Sequence, residues 1–338
     1  MANPRLVGLL ERFAQAQDPT HDEAITNETG EALYGGDLFT AGLNSTRGAC
    51  AVAIAEILSA NSDLVDRLLP IITQLAADPI LAVRTRAAEA VTALARHHPE
   101  VALDTAMTLL DCDISVLGAP STEELLMQTV TYASDRFTPV LRSMLDGPPQ
   151  IAKRAGHIWA VADHRGAIRA PVDTAVADLP QAARVGAAEV LAANVVNGAA
   201  HLAILFNDSD ADVRAAAARS MRHLPDPLPS HVEGLVDFFV ESAAFADHMD
   251  DLFDGLEKIT SPLPPSTLRA CQRAVDVAAE ELGDIRTARA TLGQDIINIL
   301  LRLYRQGSEQ TRTGCLDVVD SLVDRNAYGI AQALDNER

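Results

Sequence analysis

The stretch "ADHMDDLFDGLEK", residues 246 to 258, carries the sharpest charge pattern in the chain. Asp247, Asp250, Asp251 and Asp254 recur at i, i+3, i+4 and i+7, which puts four carboxylates on one face of a helix. Met249, Leu252, Phe253 and Leu256 take the opposite face. Such a row can dock an arginine-rich segment of a partner or hold a loose cation. The plainer alternative is a solvated face, with Lys258 offsetting Asp254 at i+4. Hard cations draw ligands mainly from loops rather than from a straight helix face, which weighs toward solvated surface and against a metal site.

Other residues with chemistry to offer are scattered. Trp159, the single tryptophan, is either a packing anchor in the core or an exposed recognition aromatic, and the core is the expectation. His157 and His164 are seven apart on one predicted helix near Asp163, but no third and fourth metal ligand accompanies them. His97 and His98 end a helix before Pro99, where a cation suits the helix dipole. "DCD" (111 to 113) places its ligands too close together to converge on one ion. A phosphate-binding GxxxxGK[ST] needs a lysine after glycine, and neither of the two lysines, Lys153 and Lys258, has one. There is no GxSxG and no HExxH. The residues therefore predict no catalytic group, no cofactor and no metal.

The elements that must position these residues come from a repeat. "DPILAVRTRAAEAVTAL" (78 to 94) returns as "DSDADVRAAAARSMRHL" (208 to 224). Val83, Ala87, Val91 and Leu94 fall on one helix face, and the same slots of the second copy hold Val213, Ala217, Met221 and Leu224. Asp78-Pro79 and the run from Asn207 to Asp210 supply turn and N-cap residues ahead of each helix. Fainter copies carry an arginine before small apolar residues: Arg47 in 44 to 58, Arg154 in 150 to 162, Arg184 in 181 to 193 and Arg312 in 308 to 323. A second helix precedes several of them, at 64 to 78, 167 to 178 and 199 to 208. No segment sustains period-2 alternation. A period of roughly 30 to 45 residues built from two helices predicts stacked helical hairpins.

The Asp-x5-Arg spacing of Asp78 with Arg84, and of Asp208 with Arg214, resembles the HEAT repeat. That resemblance implies an all-α fold, an α-solenoid in which the Asp of one repeat pairs with the Arg of a neighbour. Asp78, Arg84, Arg184, Asp208 and Arg214 are then structural ladder residues. Two ends of the chain, 35 to 58 and 296 to 334, are similar to the C-terminal repeat region of large bacterial signal-transducing NACHT-like NTPases of phage defence. This second resemblance implies a sensor arm that recognises a foreign or effector protein, without the central ATPase. Bilin lyases and some DNA glycosylases also use HEAT-like repeats. The glycosylases need a basic cleft, which this chain does not offer; a lyase needs a deep apolar pocket with convergent polar groups.

Composition narrows the partners. The 338 residues carry a net charge of −20, against the positive footprint that nucleic-acid binding requires and unfavourable at an anionic membrane surface. Hydrophobic residues reach 48% but aromatics only 4%, which suits thin layers of aliphatic helices. Cys50, Cys112, Cys271 and Cys315 stand far apart in apolar contexts, predicting buried reduced thiols and a cytoplasmic protein. The N-terminus lacks the apolar core of a signal peptide, and no stretch reaches the roughly 18 apolar residues of a membrane span.

The expectation is an N-terminal helix in 1–17, an acidic mobile loop in 18–40 and an array of about seven to nine HEAT-like hairpins, forming a right-handed solenoid, from 41 to 338. Its function would be non-enzymatic protein recognition, with Asp247, Asp250, Asp251, Asp254 and Trp159 as binding candidates. The alternatives are a bilin-lyase-like enzyme and an oligomerising scaffold.

Overall fold

The structure, a computed structural model, describes residues 4–19, 36–164, 175–282, 286, 287, 289, 291–327 and 330. Among these the regular structure is helical: seventeen α-helices joined by short 3-10 turns and loops, with no strand. The chain divides into two compact units, Met1–Thr174 and Ala175–Arg338.

The first unit holds α1 (Pro4–Ala14), α2 (Leu38–Leu43), α3 (Thr46–Ala60), α4 (Val65–Ala76), α5 (Leu81–Ala95), α6 (Pro99–Leu110), α7 (Pro120–Thr129), α8 (Ser134–Leu145) and α9 (Pro149–His164). Odd-numbered helices stack in one row, α3 on α5, α5 on α7 and α7 on α9, while α4 packs on α6 beside them. Helix α5 sits at the centre, touched by α2, α3, α4, α6 and α7. Its sequence explains this. Ala82, Ala87, Ala88 and Ala90 are wholly buried with Val83, Val91 and Leu94, and a helix apolar on all sides must be covered on all sides. Alanine lets several neighbours approach the axis closely. Helix α3 begins where Ser45 accepts the amide of Gly48, an ordinary side-chain N-cap.

The second unit holds α10 (Gln181–Ala193), α11 (Val195–Leu205), α12 (Ala211–Ala218), α13 (Ser230–Glu241), α14 (Phe245–Lys258), α15 (Thr267–Val277), α16 (Leu292–Gln306) and α17 (Glu309–Asp324). Even-numbered helices form one row, α10, α12, α14 and α16, and odd-numbered ones a second, α11, α13, α15 and α17, with contacts between the rows. Five of the eight phenylalanines lie here. Phe239 meets Phe206 edge-on at 4.9 Å and Phe245 at 5.8 Å, tying α11, α13 and α14 into one core.

The two repeat copies fold alike at their turns. Asp78 binds Arg47 of α3 through both carboxylate oxygens, at 2.7 and 3.1 Å, and caps the amide of Ile80 at 2.9 Å. Its backbone carbonyl accepts Arg84 Nε at 2.6 Å. Asp208 repeats the arrangement: Arg184 at 2.7 and 3.1 Å, the amide of Asp210 at 2.9 Å, and Arg214 on its carbonyl at 2.8 Å. Each aspartate thus clamps the preceding arginine-bearing helix by its side chain and the following one by its backbone. Within a copy, the Asp-x5-Arg pair meets through a carbonyl and not through a carboxylate.

Some expectations meet a different local structure. The second copy does not remain α-helical to Leu224; the chain tightens at Ala218 and runs on as a 3-10 turn, Arg219–His223. The segment 18–40 falls mostly on 20–35, outside the described residues, and its last residues already begin α2. Of the helix expected over 167 to 178, residues 167–174 lie outside the described residues and Val176–Asp178 is a single 3-10 turn. Cys50, Cys271 and Cys315 are buried free thiols and Cys112 is a half-buried one. Burial pushes Cys50 up to about 11. No helix among the described residues is long and apolar enough to cross a membrane.

Candidate functional site

The acidic row lies on α14, but not as one exposed face. Backbone geometry at His248 departs from helical, so Asp247 precedes a kink and the rest of the row follows it. Asp251 is buried, 5% exposed, and binds the guanidinium of Arg222. Asp250 is half-buried and meets Arg289 Nε at 3.4 Å. Asp247 and Asp254 stand exposed. The solvated-face reading thus holds for Asp247 and Asp254 but not for Asp251: the kink and the approach of Arg222 sort the carboxylates by depth. Lys258 does not offset Asp254 either. It donates to the carbonyl of Arg222 at 3.4 Å, and Arg222 lies 3.6 Å from Asp254.

Arg222 arrives from a place the sequence pattern did not indicate. In a 3-10 turn residues three apart eclipse one another, so Arg219 and Arg222 line up along Arg219–His223. That turn packs on α14, where Gly255 makes the closeness possible: a Cβ there would stand 1.8 Å from the Met221 carbonyl oxygen. Between turn and helix lies a concavity of about 210 Å³ lined by Ala215, Arg219, Arg222, Asp247, His248, Asp250 and Asp251. Cations form one wall and carboxylates the other.

Helix α16 enlarges the negative field. It packs on α14 and brings Asp295 beside Glu257 and Asp254. Burial first, then the charges of Glu257 and Asp254, push Asp295 up to about 6. Asp250 is also raised, by burial, against the pull of Arg289. Six carboxylates thus surround this edge of the second unit, with Arg222 and Arg289 paired among them. Among the described residues no group of three or more His, Cys, Asp or Glu side chains could hold a metal ion. What remains is an open, acid-rich edge suited to complementary positive charge.

Trp159 is buried, 5% exposed, on α9. It packs in the first unit and belongs to no exposed surface, because α7 and α8 cover that helix. Its neighbour His157 contacts Glu123 Oε1 at 2.5 Å, and Arg154 binds the other oxygen of the same carboxylate. Burial alone would raise Glu123, but the bond to His157 and the charges of His157 and Arg154 hold it below its ordinary value. Glu123 was not singled out by its sequence context, since it sits in an unremarkable "STEELL" run. A separate concavity of about 290 Å³ in the first unit is lined by Leu38, Phe39, Ile114, Ile151, Ser115 and Gln150 among others. Its carboxylate, Asp37, is committed to capping α2 through Phe39 N at 3.0 Å and Thr40 Oγ1 at 2.5 Å.

Compared with models of known protein families and with curated proteins, the chain matches none.

Proposed function

We propose that the chain is an α-solenoid of HEAT-like hairpins acting as a non-enzymatic protein-recognition module, with the acidic edge around α14 docking a basic segment of its partner. The observation that carries the reading is the imbalance at this edge. Asp247, Asp254 and Glu257 are exposed, and among the described residues six carboxylates stand here against Arg219, Arg222, Lys258 and Arg289. Arginine-rich segments bind such surfaces through charge-assisted hydrogen bonds, and the long-range field speeds their encounter. The solenoid reading is supported by helices that pack one and two along in each unit, and by the Asp78 and Asp208 turns. The buried thiols fit a cytoplasmic setting. The likeness of the two chain ends to the sensor arms of phage-defence NTPases would make the partner a foreign or effector protein.

The test is affinity capture with wild type and an Asp247→Arg, Asp254→Arg double variant. Both positions are exposed, so charge reversal there disturbs packing less than a change at buried Asp251 would. A partner with a basic surface should be retained by wild type and lost with the variant. Identical retention by both would overturn the reading.

A further inference from the structure

We infer that the α11–α13 face of the second unit is a second docking surface, built to seat a basic amphipathic helix of a protein partner. It rests on the reading of the chain as a protein-recognition module and adds a site distant in sequence from the acidic row. Helices α11 and α13 lie side by side and parallel. At one end His231 Nε2 donates to the Val196 carbonyl at 3.0 Å. At the other, Ala244 N donates to the Phe206 carbonyl at 3.1 Å and Ala243 N to Asn207 Oδ1 at 2.9 Å. This register brings Ile204 and Phe238 to about the same level along the two helices. Both are large, apolar and uncovered, at 48% and 45% exposed, and Val196 adds 36%. Val196, Ala200 and Ile204 recur at i, i+4 and i+8, so they form one exposed row along α11.

Gly234 gives the face its meaning. It sits inside α13, exposed, four residues before Phe238, and a Cβ added there would meet nothing within 4 Å. Glycine inside an exposed helix is less stable than alanine, because it loses more backbone freedom on folding. Among the described residues no turn, positive φ or internal contact requires it. A gap one turn from the exposed Phe238 is what lets another backbone come close, which is how a docked helix gains contact area.

Charge selects the occupant. Phe239 faces Phe206 of α11, so the helical spacing puts Glu233 and Asp237 on the flank of α13 away from α11, and neither has an ion pair among the described residues. An apolar strip with free carboxylates along one border favours a segment with apolar anchors and basic flanks. A second copy of this chain, at net charge −20, is disfavoured by repulsion.

The probes are two synthetic amphipathic helices with the same leucine row, flanked by arginine in one and by glutamate in the other. Fluorescence anisotropy would follow their binding to the full chain, and sedimentation would follow self-association. The arginine peptide should bind wild type and the glutamate peptide should not. Gly234→Leu and Phe238→Ala should each weaken binding about tenfold or more. Gly234→Leu should meanwhile hold or raise the thermal midpoint, so its loss of binding cannot come from unfolding. Equal binding to wild type and both variants, equal binding of the two peptides, no binding at all, or self-association abolished by Phe238→Ala would each overturn the inference. Asp247→Arg, Asp254→Arg should leave peptide binding unchanged. If the peptide fails while that double variant still loses its captured partner, this surface falls and the function reading stands.

Discussion

At the scale of residues, burial decides which charges matter. Asp208 spends both carboxylate oxygens on Arg184 and one also on the amide of Asp210, at 9% side-chain exposure. Truncation to alanine strands a mostly buried guanidinium and an orphaned amide. Asp208→Ala should therefore cost about 3 kcal/mol of unfolding free energy, and Asp208→Asn, which keeps the amide acceptor, about half as much. Urea denaturation of both variants checks the order. Asp295 works in the opposite sense. Its folded value of about 6 lies above the ordinary 3.8, raised by burial and by Glu257, Asp254 and Asp250. Its contribution favours the fold fully at pH below the ordinary value and is lost as pH rises through about 6. Asp295→Asn should consequently gain stability over wild type above that pH, on the order of 1 kcal/mol after solvent screening, and gain little at acid pH. A uniform gain at all pH would show that the repulsion is absent.

At the scale of elements, two glycines of the second unit should respond to alanine in opposite directions. Gly255 lets α14 rest on the 3-10 turn Arg219–His223, and its Cβ would collide with the Met221 carbonyl. Backbone cannot yield as a side-chain tip can, so Gly255→Ala should destabilise by roughly 3 kcal/mol despite better helix propensity. The same substitution at Gly234 meets open space and should stabilise. Thermal unfolding of the pair measures both. Helix α5 illustrates how much of an element is legible beforehand. Its aliphatic spacing announced a helix, and the alanines on its remaining faces marked it as central once neighbours were in place. The 3-10 continuation after Ala218 was not legible, since "RSMRH" continues the helical pattern of its counterpart.

At the scale of the whole molecule, the net charge of −20 bears on partners and not on fold. The capture that distinguishes wild type from Asp247→Arg, Asp254→Arg should itself weaken with added salt, because exposed charges are screened within about 8 Å near physiological ionic strength. An apolar helix seated on α11 and α13 should be less sensitive, since burial of Phe238 and Ile204 does not depend on the ion atmosphere.

The sequence by itself determined that the described chain is helical, roughly where several of the helices lie, and which aspartate turns recur. Those properties follow from local spacing: apolar periodicity, cap residues and the repeated Asp and Arg. Tertiary structure alone decided that Asp78 clamps Arg47 and that Asp251 is buried while Asp247 and Asp254 are not; for Trp159 it agreed with the expected core. It alone brought Arg222 and Asp295 to the acidic row. Helical periodicity states which residues share a face. Depth and pairing depend on what packs against that face, here helices and turns that come from elsewhere in the chain.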